Sequence, residues 1–205
     1  MINSNPTMPY TFRNKAPIPK AEARRMVRGR VSELTVTELK NKSASVIERL
    51  LDSDDYNFAD KIFAYYSVSG NIVNTKSLIS TAQGQRKSVF LPKLRHEGCM
   101  PQRFQFTAYD ELVKNELDLL EPKIGIDEDL SDIDLIIVPC LAVSLLGERI
   151  GFEGMNYNSL LRNSFAPKIV LAFEFQVFNR IEYERQDVRI DRIITERRII
   201  NTREN

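Results

Sequence analysis

Hydrophobic and polar positions fall into blocks along the chain, and the blocks change character near residue 52. From Lys20 to Leu51 the pattern is helical: "KAEARRMVRGRVSEL" is rich in strong helix formers and has no proline. "TVTE" interrupts it, with Thr35 and Glu38 spaced as a capping box that restarts a helix through "LKNKSASVIERLL". "SDDYNFAD" is expected as a loop. Short apolar runs follow. "KIFAYYSV" predicts a strand that "SGN" turns, and Asn74 is placed to cap a short helix, "TKSLISTAQ", ending near Gly84. "KSVFLP" predicts a strand closed by Pro92, and the alternating "RFQFTAY" an edge strand. "DELVKNELDLLEP" reads as a helical turn and then a loop ending at Pro122.

The second half carries the clearest strand. "DIDLIIVP" is a continuous apolar run flanked by acids, as in a parallel sheet buried on both faces. "AVSLL" follows it, "NYNSLLRNS" is a helix candidate, and "KIVLAFEF" is a further buried strand. "VRIDRIITERRII" alternates and predicts one strand near a sheet edge. Strands alternating with helices predict a single three-layer α/β/α domain, Rossmann-like, with a mostly parallel sheet and mixed edges. That domain is expected over residues 20–205, after a flexible arm at 1–19 that is polar and carries four prolines. Ligands in such sheets bind beyond the carboxyl ends of the strands.

Composition narrows the chemistry. The 205 residues are 42% hydrophobic and 28% charged, which is ordinary for a globular domain with a good core. A net charge of +1 argues against nucleic acid or a membrane surface as partner. The first twenty residues lack the apolar centre of a secretory signal, so the cytoplasm is the expected compartment, with the mitochondrion as the alternative. Two cysteines, Cys99 and Cys140, make neither a disulfide framework nor a metal site. A single histidine, His96, excludes sites that need several imidazoles.

Three stretches could carry chemistry. "GERIGFEGMNYNSLL" (147–161) follows the buried strand and opens a helix, so its glycines and Arg149 could cradle phosphate; an ordinary turn is the plainer alternative. Lys20, Arg24 and Arg28 share one face of the first helix and could meet polyphosphate, or simply form a solvated cationic face. Asp187 and Asp191 could hold magnesium, or be part of a charged loop.

Taken together, these segments resemble the 5-formyltetrahydrofolate cyclo-ligase (methenyltetrahydrofolate synthetase) family from Lys20 to Glu196. The resemblance rests on "KAEAR", "YYSVSGNIVNT" ending at Thr75, "KSVFLP" and "LLEP". It continues through "DIDLIIVPCLAVSLLGERIGFEGMNYNSLL", "LAFEFQV" with Gln176, and "DVRIDRIITE". It implies an ATP- and magnesium-dependent cyclisation of 5-formyltetrahydrofolate to 5,10-methenyltetrahydrofolate, by positioning and charge neutralisation rather than by a side-chain nucleophile. No catalytic side chain is therefore assigned. By resemblance, Lys20, Arg24, Arg149, Gly151, Gly154 and Lys87 would bind ATP. Ile72, Phe152, Asn156 and Tyr157 would line the substrate site, and Asn158 and Asp191 would hold magnesium. A monomer is expected.

The loop departs from the family pattern. Glu153 and Met155 replace glycines, Asn156 replaces an aromatic, and Asn158 replaces an aspartate that would bind the metal. Val143, Ser144 and Ile72 also differ, Ile72 standing where a substrate-contacting glutamate is usual. Two alternatives follow: a non-catalytic nucleotide- or folate-binding member of the family, or an interaction module acting through Arg24–Arg30 and the tail "ERRIINTREN".

Overall fold

A computed structural model describes residues 16–67, 70–93, 102–106, 112–114, 120–123, 130–151 and 157–203. Among them, the main sheet has seven strands in the order β12-β11-β9-β6-β1-β2-β3. They are β1 (Lys61–Phe63), β2 (Ser88–Lys93), β3 (Gln102–Gln105), β6 (Leu135–Val138), β9 (Lys168–Leu171), β11 (Arg192–Ile194) and β12 (Ile199–Asn201). The inner five are parallel, and β3 and β12 close the edges antiparallel. Along the inner sheet the chain order is second, first, third, fourth, fifth, so it reverses between β1 and β6. Sheets of this doubly wound class open their ligand crevice at such a reversal. The expected mixed-edge, mostly parallel α/β fold is what forms.

Alternation along β6 splits the core. Leu135 and Ile137 face one side with residues of α2 (Val36–Leu51) and α4 (Lys76–Gly84). Ile136 and Val138 face the other side with Tyr157, Leu160 and Leu161 of α5 (Tyr157–Arg162). Helices therefore cover both faces. The Thr35–Glu38 capping box closes as its spacing predicts, and such a cap stabilises a helix by about 1 kcal/mol. No helix among the described residues is long and apolar enough to cross a membrane.

Four segments differ from their sequence patterns. "SDDYNFAD" contains a one-turn helix, α3 (Asp54–Asn57), because the Ser53 hydroxyl accepts from Tyr56 N. Among the described residues of "KIFAYYSV", only Lys61–Phe63 is strand. Where a helical turn is expected, Leu112–Lys114 is strand: β4 (Leu112–Lys114) pairs antiparallel with β5 (Leu120–Pro122). The Lys93 ammonium reaches the Pro122 carbonyl, so β5 docks on β2 and tertiary pairing overrides local helix propensity. The run 188–200 bends into the β11–β12 hairpin. The Thr195 hydroxyl accepts from Arg197 N and Arg198 N, each at 3.1 Å, and makes the turn.

A small second sheet, β10-β7-β8, stands beside the main one and is built from β7 (Ala142–Ser144), β8 (Arg149–Ile150) and β10 (Val177–Phe178). Helix α1 (Lys20–Ser32) packs Ala23 and Val27 against it through Leu141, Ala142 and Ile150. Just before α1, Ile18 bridges in parallel to Ile181.

Candidate functional site

The stretch after β6 is not a single strand-to-helix loop. It leaves β6 at Pro139, forms β7, turns at Gly147, and returns as β8. Gly147 has φ of +79°, and a Cβ there would lie 2.4 Å from the Ile190 carbonyl oxygen, so this glycine serves a tight backbone approach. Ser144, at the other side of the turn, accepts through Oγ from Leu146 N and Glu148 N. Glu148 is fully buried, accepts from Ile181 N at 2.9 Å and pairs with Arg180. It thereby fixes the hairpin to the segment that Ile18 bridges. The same segment places the start of α1, where Lys20 N donates to Glu182 Oε2 at 3.2 Å.

These anchors bring two cations together at the carboxyl end of β6. The Arg149 guanidinium folds back over Gly151, donating to Pro139 O at 3.2 Å and to Asn158 Oδ1 at 3.1 Å. A Cβ on Gly151 would meet Arg149 Nη1 at 2.6 Å, so the bare glycine makes room for the guanidinium. The Arg149 Nε is buried and has no acceptor among the described residues. Asn158 also accepts from Val188 N and donates through Nδ2 to Asp187 Oδ1 at 2.9 Å. The other Asp187 oxygen receives the Lys20 ammonium at 3.0 Å, and Glu184 receives the same ammonium at 2.7 Å. Lys20, Asp187, Asn158 and Arg149 thus form one continuous polar chain.

The electrostatics follow from this chain. Burial on its own would raise the Asp187 pKa, but the Glu184 N–H, the Lys20 ammonium and the Asn158 amide outweigh it and hold the carboxyl below its ordinary value. Partial burial works against the Lys20 charge, yet Glu184 and Asp187 raise its pKa above the usual lysine value. Burial lowers the Arg149 pKa, opposed by Cys140, Tyr157 and Asp187. Burial pushes the neighbouring Cys140 thiol up to about 12, although Arg149 works to lower it.

The other expected positions are scattered. Arg24 stands one turn along α1 from Lys20 and is partly exposed. Ile72 lies after β1, half-buried against the core. Tyr157 is 2% exposed and packs in the core beside α5, where burial raises its hydroxyl pKa; it is a core residue near Arg149, not the lining of an open pocket. Phe152, Gly154 and Asn156, with Glu153 and Met155, lie outside the described residues, as do His96 and Cys99.

Two expected residues are at the wrong end of the sheet. Lys87 precedes β2 and donates to the carbonyls of Asn57 and Ala59 at 3.2 and 2.6 Å, over the Tyr56 ring. Asp191 precedes β11, where it accepts from Lys168 N and pairs with Arg203. Both sit at the amino ends of the parallel strands, opposite Pro139. Asn158 and Asp191 therefore do not meet, and Asp187 is the carboxylate that joins Asn158. Glu184 escapes sequence reasoning because its only trace is an acid in the turn "EYERQD".

The donor set suits a phosphate and a hard cation. Two cationic side chains and an orphaned buried N–H fit phosphate oxygens. Asp187 and an amide oxygen are of the kinds magnesium takes alongside phosphate, and the Asn158 oxygen becomes such a ligand only by giving up its bonds to Arg149 and Val188 N. No cluster of three or more His, Cys, Asp or Glu with metal-binding geometry is found among the described residues, so the protein alone would not cage such an ion.

Comparison with known proteins adds a family. The 5-formyltetrahydrofolate cyclo-ligase family model matches residues 18–196. The 5-formyltetrahydrofolate cyclo-ligase of Haemophilus influenzae is 28% identical over 166 residues, covering 77% of this chain and 87% of that protein. The Escherichia coli K12 protein of the same name is 26% identical over 176 residues, covering 83% and 96%. The solution structure of Aquifex aeolicus 5,10-methenyltetrahydrofolate synthetase superposes with a TM-score of 0.77 at 27% identity, covering 91% of this chain and 94% of that one.

Proposed function

We infer that this chain, which belongs to the 5-formyltetrahydrofolate cyclo-ligase family over residues 18–196, is a ligase that cyclises 5-formyltetrahydrofolate to 5,10-methenyltetrahydrofolate with ATP and magnesium. The observation that carries this is the Lys20–Asp187–Asn158–Arg149 chain at the reversal of the sheet, with its unsatisfied Arg149 Nε. ATP, when bound with magnesium, supplies the phosphoryl group that makes the formyl oxygen a leaving group.

This chain's residues then bind and orient. Lys20 and Arg149 take phosphate oxygens, and Arg149 has the planar fork suited to two of them at once. Arg24 extends the cationic face along α1. Asp187 would hold magnesium, joined by the Asn158 oxygen once the amide turns from Arg149. Ile72 and the backbone around it line the folate side. Positioning of this kind needs no covalent nucleophile. The adjacent Cys140 supplies none, because its thiol stays protonated near neutral pH. A free buried Cys140 suits the reducing cytoplasm.

The second reading is a non-catalytic nucleotide- or folate-binding member. It is favoured by Asn158, whose amide bonds to Asp187 and Arg149 but brings no charge to a metal. Titration of ATP with magnesium, on the native protein and on Arg149→Gln, tests the phosphate site. Loss of a charged contact predicts about 10- to 100-fold weaker binding. Equal affinities of the two proteins would remove Arg149 from the phosphate site.

A further inference from the structure

We propose that Gln176 is the positioning residue that fixes the folate-facing wall of the site, an assignment that rests on the folate cyclo-ligase activity proposed above. Its carboxamide is fully buried in a 3₁₀ turn, Glu174–Gln176. Nε2 donates to Asn71 O at 2.8 Å and to Leu141 O at 2.9 Å, and Oε1 accepts from Phe173 N at 2.8 Å. Each partner follows a different parallel strand: Asn71 after β1, Leu141 after β6, Phe173 after β9. One side chain therefore ties the segments leaving three adjacent strands, across the reversal where the crevice opens.

The two sides it joins have different chemistry. Leu141 is two residues past Pro139, whose carbonyl holds Arg149, so this side is the cationic one. Asn71 adjoins the half-buried Ile72, so the other side offers an apolar side chain and backbone groups without charge. A triphosphate fits the first, and the ring of the folate substrate fits the second. The bonding also explains why the residue is a glutamine. An amide offers two N–H donors and an acceptor on a flat head, whereas an ionised glutamate has no donor and lysine no acceptor. Every bonded partner is a backbone group, so the amide itself sets how far Asn71 stands from Leu141.

Gln176→Glu tests this. At pH 8 the ionised carboxylate faces two carbonyl oxygens and can bond neither, so the Asn71 side is released. KM for 5-formyltetrahydrofolate is expected to rise about tenfold or more, while KM for ATP stays within about twofold. At pH 6 the buried carboxyl, its pKa raised by burial, is protonated and donates to one carbonyl. KM for the folate then returns toward that of the native protein at the same pH. A merely structural role would raise both KM values together, or lower kcat alone, without pH rescue; either result overturns the proposal.

Hydrogen exchange keeps the test independent of turnover. Peptides covering residues 70–75 should exchange faster in the variant than in the native protein at pH 8, and alike at pH 6, with α5 unchanged. Exchange that does not change, or that rises throughout the chain at both pH values, overturns the positioning role even if the native protein proves inactive. If Gln176→Glu does not fold, Gln176→Asn retains the amide on a shorter stem. It should raise KM for the folate several-fold and leave KM for ATP alone, and unchanged KM values would overturn the proposal.

Discussion

Replacing Asn158 by aspartate converts one hydrogen bond of the site into a repulsion and offers a cation a second carboxylate. In the native protein the Asn158 Nδ2 stands 2.9 Å from Asp187 Oδ1, and its Oδ1 stands 3.1 Å from an Arg149 nitrogen. In Asn158→Asp, two carboxylates about 3 Å apart repel by roughly 5–6 kcal/mol at an effective dielectric constant of 20. The new carboxylate attracts the Arg149 guanidinium by about the same amount at nearly the same distance. These terms largely cancel. What remains is the lost donor to a charged acceptor, about 1.5–3 kcal/mol. For a domain of this size that lowers Tm by about 3–12 °C in the absence of divalent cations.

Magnesium should reverse the loss. Two facing carboxylates bind the ion more tightly than a carboxylate and an amide, and an ion at 100 times its Kd stabilises by about 2.7 kcal/mol. Thermal melts with and without millimolar magnesium provide the assay, beside titration of ATP in both conditions. The variant should melt lower than the native protein without magnesium and recover most of the difference with it. Its ATP affinity should gain more from magnesium than the native affinity does. A variant that melts like the native protein without magnesium, or that magnesium moves no more than the native protein, would refute the placement of a metal between Asn158 and Asp187.

Two further outcomes follow from other contacts. In Gly151→Ala the new Cβ would lie 2.6 Å from Arg149 Nη1, a mobile side-chain end, so the guanidinium shifts off Pro139 O and Asn158. ATP affinity should fall about tenfold while Tm falls by no more than in Asn158→Asp, and an unchanged ATP affinity with a lowered Tm would show that Gly151 serves the fold alone. Asp132 is held at about 2 by Arg103 and Lys61. Its folded pKa lies below the unfolded value, so its contribution is present above about pH 4 and is lost as pH falls through 2. The carboxylate is 42% exposed, so Asp132→Asn should cost no more than about 1 kcal/mol at pH 7 in denaturant unfolding. That cost should vanish near pH 2, and a cost that persists there would contradict the ion-pair account.

Much of the sheet is legible in the sequence because β6 and β9 are buried on both faces and leave continuous apolar runs. Leu112–Lys114 and Leu120–Pro122 are not legible as strands, because their local propensity gives no sign of the pairing between them or of the β2 edge beside β5. The bend at Thr195 depends on one hydroxyl that an alternating pattern hides. The site divides in the same way. Lys20, Arg149 and Asn158, which the family resemblance carries residue by residue, fall into one polar chain through Asp187. Lys87 and Asp191 mislead because each sits just before a strand, and in a parallel sheet that is the end away from the ligand. Asp187, four residues earlier than Asp191, reaches the correct end. Four extended residues are about the depth of a short strand.

Turnover decides whether the chain is a ligase acting on 5-formyltetrahydrofolate. The protein is mixed with ATP, magnesium and 5-formyltetrahydrofolate, and the methenyl product is followed by its absorbance beside release of phosphate. Product and phosphate are expected in equal amounts, with no product when ATP is omitted and a marked fall in rate in Arg149→Gln. Absence of product from folded protein that still binds ATP would contradict the ligase reading and leave the non-catalytic reading in its place.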